Sequence, residues 1–322
     1  MRPTRSSVFI ALFFASCLTG CFKITPPVTS LKEAYQKFVT LCKEEYSLDV
    51  KVRQLNDTVY IYLPIDQVIV DIAAKTMLEP QAEAKATVQT DQLKFIESAF
   101  AENAFKIDYA VASTKNYPTK DPGYQTAYGE EFKEKQRNIL TSIFRAFGDL
   151  GIVPGDVEYK DAGRQEKHKT FVDAHLSVDQ PPEFVVLVIA DIKKGIEIET
   201  IFNFSDLKRT MVGELLEDEY QKRTLYELRG GQQIIGDMEG KHLDYKEILW
   251  PDFIARQIKN RVSLAYQNKM IEPGNNEDNI LKIVAQTIRN YGFKNFSNIL
   301  LHNLETDAKS SHGREHLKIY LQ

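Results

Sequence analysis

The segment Phe184–Ala190 is apolar at every position, and this run constrains the fold more than any other part of the chain. A strand that is apolar throughout must be covered on both of its faces. Lys193-Lys194-Gly195 predicts a turn, which Asp191 begins, and residues 196–204 then alternate in character as a return strand. We expect Ile196, Ile198, Thr200 and Phe202 to face inward, and Glu197 and Glu199 to face outward. This hairpin should form the centre of the main sheet.

Three segments share an order in which a helix precedes a hairpin. They are 30–63, 131–204 and 279–321, the middle one carrying a longer sheet. In the first, Ser30 and Glu33 are spaced as a capping box, and apolar residues at helical spacing follow them. The pattern predicts an α+β fold with helices packed on mostly antiparallel sheet, and it suggests repeated α-β-β units as a hypothesis.

Apolar spacing elsewhere predicts the remaining elements. The predicted helices cover 66–78, a short stretch containing Leu93, Ile96 and Phe100, 205 to about 228, and a segment that starts at Pro251. The predicted strands cover 105–111, 297–304 and 315–321.

Residues 113–129 are rich in turn formers, including Asp121-Pro122-Gly123, and therefore predict a long surface loop. We expect this loop to separate an N-terminal α+β region, 30–112, from a main α+β domain, 130–322. Its tyrosines, Tyr117, Tyr124 and Tyr128, are candidate binding residues for a peptide or glycan, because aromatic side chains on loops suit such contacts. The alternative is that they pack back onto the body.

The first 20 residues have the layout of a secretory signal peptide. Arg2 and Arg5 precede an apolar run of 11 residues, 8–18, which is shorter than the roughly 20 that a membrane-spanning helix needs. The run ends in Leu18-Thr19-Gly20-Cys21, which resembles the lipobox of bacterial lipoproteins. The resemblance covers only these residues, and it implies that Cys21 becomes the lipidated first residue of the mature chain.

The same resemblance implies a location. Phe22 stands where inner-membrane retention usually needs aspartate, so the outer membrane, facing the periplasm, is expected in a two-membrane bacterium. Residues 21–29 would form a tether, and the eight residues after Cys21 span at most about 25–30 Å. The body should therefore lie close to the bilayer, which it would contact through the lipid on Cys21.

Charge and cysteine content narrow the function further. Removal of Arg2 and Arg5 lowers the basic residues from 41 to 39 against 45 acidic ones, a net charge of −6. Such a body lacks the basic footprint of a nucleic-acid-binding protein. Only Cys42 remains outside the signal and the lipidation site, and its helical spacing predicts a buried, unreactive thiol.

Two histidine patterns are candidates for chemistry. His312, Glu315 and His316 match the H-x-x-E-H zinc signature, but the chain ends six residues later, which favours a polar hairpin loop. Asp173 and His175 lie two apart on a predicted strand, where an exposed pair is the plainer interpretation. No phosphate-binding glycine motif is present, so the sequence does not predict a nucleotide site. Because both histidine patterns also have a plainer interpretation, we assign no catalytic residue, metal or cofactor from the sequence.

The sequence therefore predicts a membrane-tethered envelope lipoprotein that acts by binding or assembly, with an envelope protein or a glycan as partner. An envelope hydrolase, metal-dependent through His175 or through His312 and His316, is the alternative. A carrier that holds a small apolar ligand beneath the 184–204 sheet is a third hypothesis.

Overall fold

The computed structural model describes residues 30–66, 68–74, 89–115, 124–128, 130–151, 156–158, 167–169, 173–176, 178, 180–211, 213–268 and 270–321. Its helices are α1 (Leu31–Tyr46), α2 (Glu130–Phe147), α3 (Phe204–Met211), α4 (Glu217–Arg223), α5 (Trp250–Gln267) and α6 (Asn276–Asn290). Its first strands are β1 (Lys51–Leu55), β2 (Thr58–Ile65), β3 (Ile69–Ala74), β4 (Gln89–Ala101), β5 (Ala104–Lys115) and β6 (Tyr124–Tyr128). Then come β7 (Gly148–Gly151), β8 (Asp156–Glu158), β9 (Lys167–Lys169), β10 (Asp173–Leu176), β11 (Phe184–Asp191), β12 (Ile196–Asn203), β13 (Leu225–Gly230), β14 (Asn298–Asn303) and β15 (Ala308–Gly313). Short 3₁₀ helices cover Gln232–Ile234 and His316–Leu321.

The main sheet has the strand order β1-β2-β11-β12-β13, so the predicted central hairpin does lie at its centre. Every residue of β11 is buried, as its unbroken apolar run predicts. β11 pairs antiparallel with β12 and parallel with β2, with Phe184 opposite Thr58. The parallel pair joins two hairpins that are far apart in the chain.

Both faces of this sheet are covered. On one face, α1 and α2 pack their apolar sides, including Phe38, Ile139 and Phe147, against the β2 and β11 side chains. On the other face, β2 contributes Tyr60 and Tyr62 to a second cluster that includes Phe253 of α5. The expectation that Glu197 and Glu199 face solvent was therefore wrong, because both are buried beneath this second layer.

A second sheet has the order β15-β14-β5-β4. Here too a parallel pair, β14 with β5, joins two antiparallel hairpins. Helices α5 and α6 cover one face and bury Ile258 and Val284 against Phe105 and Ile107. The α+β class with mostly antiparallel sheet is thus confirmed, while the duplication of α-β-β units stays a prediction.

Each sheet takes strands from both sides of residues 113–129. β2 pairs with β11, and β5 pairs with β14, so the regions 30–112 and 130–322 share all three of these hydrophobic clusters. The predicted division into two regions at 113–129 does not separate two cores. The strands of each parallel pair lie on opposite sides of residues 113–129 and are far apart in the chain. Local sequence patterns therefore do not predict these pairs.

Several predicted elements were wrong in type. The predicted helix 66–78 contains strand β3, and the predicted short helix at Leu93–Phe100 lies within strand β4. The predicted helix from 205 ends at Met211, before Gly213 at φ +78°, and the chain then forms α4 and β13. The last hairpin turns early, at Asp307 with φ +53°, so that residues 316–321 form a 3₁₀ helix instead of a strand.

Candidate functional site

The predicted lipidation and binding residues are only partly within the described chain. Cys21 and Tyr117 lie outside the described residues. Tyr124 and Tyr128 lie in strand β6, which pairs with β3, so this part of the predicted loop 113–129 is a strand. Among the described residues, no helix combines the length and the apolar character that a bilayer span requires.

In the part of the chain that the structure describes, His312 and His316 are not part of a metal centre. His312, near the end of β15, has Nε2 3.0 Å from a carboxylate oxygen of Glu277 and 3.0 Å from the Ser310 hydroxyl. The His316 ring lies 5.1 Å from the His312 ring, centroid to centroid. Within the described ranges, no group of three or more potential ligands is arranged to hold a metal ion. Asp173 and His175 lie in β10, opposite Gly151 and Asp149 of β7.

Two predictions about single buried residues are confirmed. Cys42 is a fully buried free thiol, and burial raises its pKa to about 11, which keeps it protonated and unreactive. Asp191 begins the β11–β12 turn, where one carboxylate oxygen accepts hydrogen bonds from the backbone N–H groups of Lys193 and Lys194.

The gap beneath the main sheet is too small for a ligand. It lies between α1, α2 and the sheet, and the surrounding side chains leave no room even for a water molecule. Its lining is apolar: Tyr35, Phe38, Val59, Ile61, Ile143, Phe147, Pro182, Val185 and Phe204. This part of the structure does not support the hypothesis of an apolar-ligand carrier.

The opposite face of the sheet is crossed by residues 231–249, a mostly irregular segment that we call the strap. Side chains of β2 hold its backbone at three points. The hydroxyl of Tyr62 donates to the carbonyl of Asp237 (2.5 Å), and the hydroxyl of Tyr60 donates to the carbonyl of Lys246 (2.6 Å). The hydroxyl of Thr58 accepts from the N–H of Ile248 (2.9 Å). A segment without regular structure is thereby fixed along the strand.

His242 of the strap lies at the most polar point of this layer. Its Nε2 is 2.6 Å from a carboxylate oxygen of Glu197, and its Nδ1 is 2.6 Å from one of Asp237. The side chains of His242 and Glu197 are only 5% and 3% exposed. The His242 ring also packs edge-on against Tyr62. The cluster therefore joins the strap to the start of β12 through buried charges.

The geometry assigns His242 its charged form. Ionised carboxylates can only accept hydrogen bonds, so both ring nitrogens must carry protons. Burial alone would lower the pKa of His242, but the hydrogen bonds to Asp237 and Glu197 outweigh it and raise that pKa. Burial likewise opposes the ionisation of Asp237, yet hydrogen bonds from His242 and from the Glu239 N–H lower its pKa to about 2.

This arrangement fastens the strap and does not suit proton transfer. A general base needs a free ring nitrogen within hydrogen-bond reach of a substrate proton, and neither nitrogen of His242 is free. Local sequence patterns do not predict the cluster, because Glu197 is 45 positions from His242 in the chain. The one local signal is the spacing of five residues between Asp237 and His242, which many surface loops also show.

A second charged cluster, around Glu199, lies beside the His242–Glu197 pair on β12. Both oxygens of Glu199 accept hydrogen bonds from Arg229 of β13 at 2.9 Å. Arg229 also contacts Glu227 at 2.8 Å, and Arg256 of α5 contacts Glu227 at 2.8 Å. These pairs hold the side chains of β13 on the strap side of the sheet in a fixed arrangement.

The outer edge of β13 is the most open part of the main sheet. Within the described chain, no other strand pairs with this side of β13. On the face opposite the strap, its side chains Tyr226 and Leu228 are 47% and 52% exposed. Ile235, whose side chain lies close to Gly195 at the neighbouring turn, is exposed as well. An edge strand with exposed apolar side chains is a surface on which another chain can pair.

No protein-family model, curated protein or solved structure matches the chain.

Proposed function

We propose that this chain is a lipid-anchored protein of the bacterial envelope, held by Cys21 to the outer membrane, and that its body binds a protein partner. The anchor rests on the lipobox-like residues Leu18-Thr19-Gly20-Cys21. The first described helix, α1, begins after Ser30, whose hydroxyl accepts from the N–H of Glu33 while the Glu33 carboxylate accepts from the N–H of Ser30.

The observation that carries the binding role is the edge of β13. No strand of the described chain pairs with its outer side, and the exposed side chains of Tyr226 and Leu228 offer apolar contact there. Extended segments add to such edges by β-augmentation, in which the main chain supplies affinity and alternate side chains supply specificity. We prefer binding to the hydrolase alternative, because Nε2 of His312 is already engaged by Glu277 and Ser310.

Mass analysis of the native protein tests the anchor. We expect a mature chain that begins at Cys21 and carries lipid, and a Cys21→Ser variant that leaves the membrane fraction. An unmodified chain that still begins at Met1 would contradict the proposal.

Site-specific photo-crosslinking in intact membranes tests the binding surface. A photoreactive residue at Leu228 should capture a protein, whereas the same residue at Leu216, which is 77% exposed on the loop before α4, should not. Equal capture at both positions, or at neither, would contradict a binding role for the β13 edge.

A further inference from the structure

The sequence of β13 is self-complementary about Leu228. Reading outward from Leu228, Glu227 on one side matches Arg229 on the other, and Tyr226 matches Gly230. If a second β13 ran antiparallel with Leu228 opposite Leu228, each of these matched residues would lie directly across from its counterpart. Directly opposite residues in an antiparallel pair project from the same face and contact each other.

We propose that the binding partner at this edge is a second copy of the same chain, joined through β13 in this register. The two main sheets then form one continuous sheet around a two-fold axis that passes through the Leu228 pair. Such an interface is isologous, since the same patch serves on both copies. The inference rests on the proposed binding function of the edge and names its partner.

Each opposed pair is favourable in its own way. The exposed Leu228 side chains bury apolar surface against each other on the face opposite the strap. Tyr226 lies across from Gly230 of the second copy, and an aromatic ring over a strand glycine shields its backbone. On the strap side, Glu227 lies across from Arg229 of the second copy, and opposite charges across a strand pair stabilise it.

The charges also select the register. A pairing centred on Glu227 would bring two glutamates directly together, and one centred on Arg229 would bring two arginines together. Within each copy, Arg229 is already fixed by its bonds to Glu199 and Glu227, although its side chain stays 42% exposed. The guanidinium is therefore held in place and still accessible to a carboxylate of the second copy.

The membrane anchor compensates for the small buried area of this interface by raising the effective concentration of the copies. β13 has six residues, and an edge pairing of this length buries less than the roughly 1,200–2,000 Å² of a stable dimer. Copies tethered to one bilayer meet at a raised effective concentration, which lets a weak contact form. We accordingly expect pairing in membranes and weaker pairing of the unlipidated body.

Charge substitution at Leu228 tests the inference on the full lipidated protein. Two differently tagged copies are expressed together and chemically crosslinked in intact membranes, and co-isolation is measured after solubilisation. Wild-type copies should co-isolate, whereas a pair of Leu228→Lys copies, or a pair of Leu228→Glu copies, should lose co-isolation by on the order of 10-fold through repulsion at the axis. One Leu228→Lys copy with one Leu228→Glu copy should recover it.

Leu216→Lys is the matched control, because it places the same charge on an exposed leucine that is not part of β13, and it should leave co-isolation unchanged. Undiminished co-isolation of two Leu228→Lys copies, or failure of the mixed pair to recover, would overturn the inference. If the photoreactive residue at Leu228 captures a different protein and no second copy, the inference falls while the proposed binding function stands. If it captures nothing, both fall.

Discussion

Replacement of His242 by glutamine leaves Glu197 as a buried carboxylate without its cationic partner. Breaking a buried ion pair from one side costs about 3–5 kcal/mol, because the remaining charge stays desolvated. We expect His242→Gln to lower the free energy of unfolding of residues 22–322 by that amount, as measured by urea denaturation. His302→Gln is the matched control, since His302 pairs with the exposed Asp307 and should cost less than about 1 kcal/mol. Equal losses would mean that burial does not strengthen the His242 cluster.

The same cluster predicts a pH dependence. A group whose pKa is raised on folding stabilises the fold fully below its unfolded pKa, and loses that contribution as the pH rises through the folded value. The pKa of His242 is raised above 6.5, so its contribution should decline on the alkaline side of about pH 6.5. The difference in unfolding free energy between wild type and His242→Gln should shrink as the pH rises above about 6.5. A constant difference across that range would contradict the charged assignment.

Asp237 predicts a pH dependence of stability in the acid range, in which the contribution is lost as the pH falls. Its pKa is lowered from 3.8 to about 2, so it stabilises the fold above its unfolded pKa and loses that contribution as the pH falls towards 2. We expect Asp237→Asn to be less stable than wild type at neutral pH, with the gap closing between about pH 4 and about pH 2. Urea denaturation over that range measures it, and a gap of constant size would count against the proposed ionic contact.

Single residues differed in how far the sequence revealed them. Cys42 and Asp191 could be predicted because their environments follow from neighbours in the chain, a helical stripe in one case and a turn in the other. Glu197 could not, because its burial depends on the strap, which folds back from residues 231–249 without a period of its own. Local alternation predicts a face for each side chain, and only tertiary structure decides whether that face is covered.

At the scale of elements, β-bulges explain the two false helices. In β4 the register shifts between Leu93 and Phe95, so Leu93 faces Val111 while Ile96 faces Tyr109. Leu93 and Ile96, three residues apart, therefore lie on the same face of the strand. Apolar residues at this spacing normally predict a helix. β3 has a similar shift between Ile69 and Asp71. By contrast, α1 and α2 have uninterrupted helical spacing, and they are the helices that open the predicted segments 30–63 and 131–204.

The β11–β12 turn depends on Gly195, where the turn meets the strap. Gly195 has φ +67°, and an added Cβ would lie 2.8 Å from the carbonyl oxygen of Gly231 and 2.9 Å from the Ile235 side chain. Gly195→Ala should therefore lose more than the roughly 1–2 kcal/mol of a left-handed alanine. Gly213→Ala is the control, because Gly213 has φ +78° with open space around it. Chemical denaturation of both variants measures the steric part, and equal losses would show that the strap yields at this contact.

On the scale of the whole molecule, α5 packs against both the main sheet and the second sheet, and we call each sheet with its covering helices a half. Phe253 of α5 packs into the layer between the strap and the main sheet, while Ile258 packs against the second sheet. Trp250 and Tyr291 contact both of these clusters. The sequence predicts the apolar stripe of α5, but it does not show that the stripe serves two cores, because the partners come from distant parts of the chain.

This shared helix predicts that the two halves unfold together. The chain has a single tryptophan, Trp250, so its fluorescence reports on the junction while circular dichroism reports on both sheets. Phe253→Ala and Ile258→Ala each empty a fully buried site on a different side of α5, at a cost of about 2–5 kcal/mol. If the halves form one cooperative unit, each variant should shift the urea midpoints of both signals equally. If they unfold separately, the two signals should part, and Ile258→Ala should broaden the circular dichroism transition while Phe253→Ala shifts the fluorescence alone.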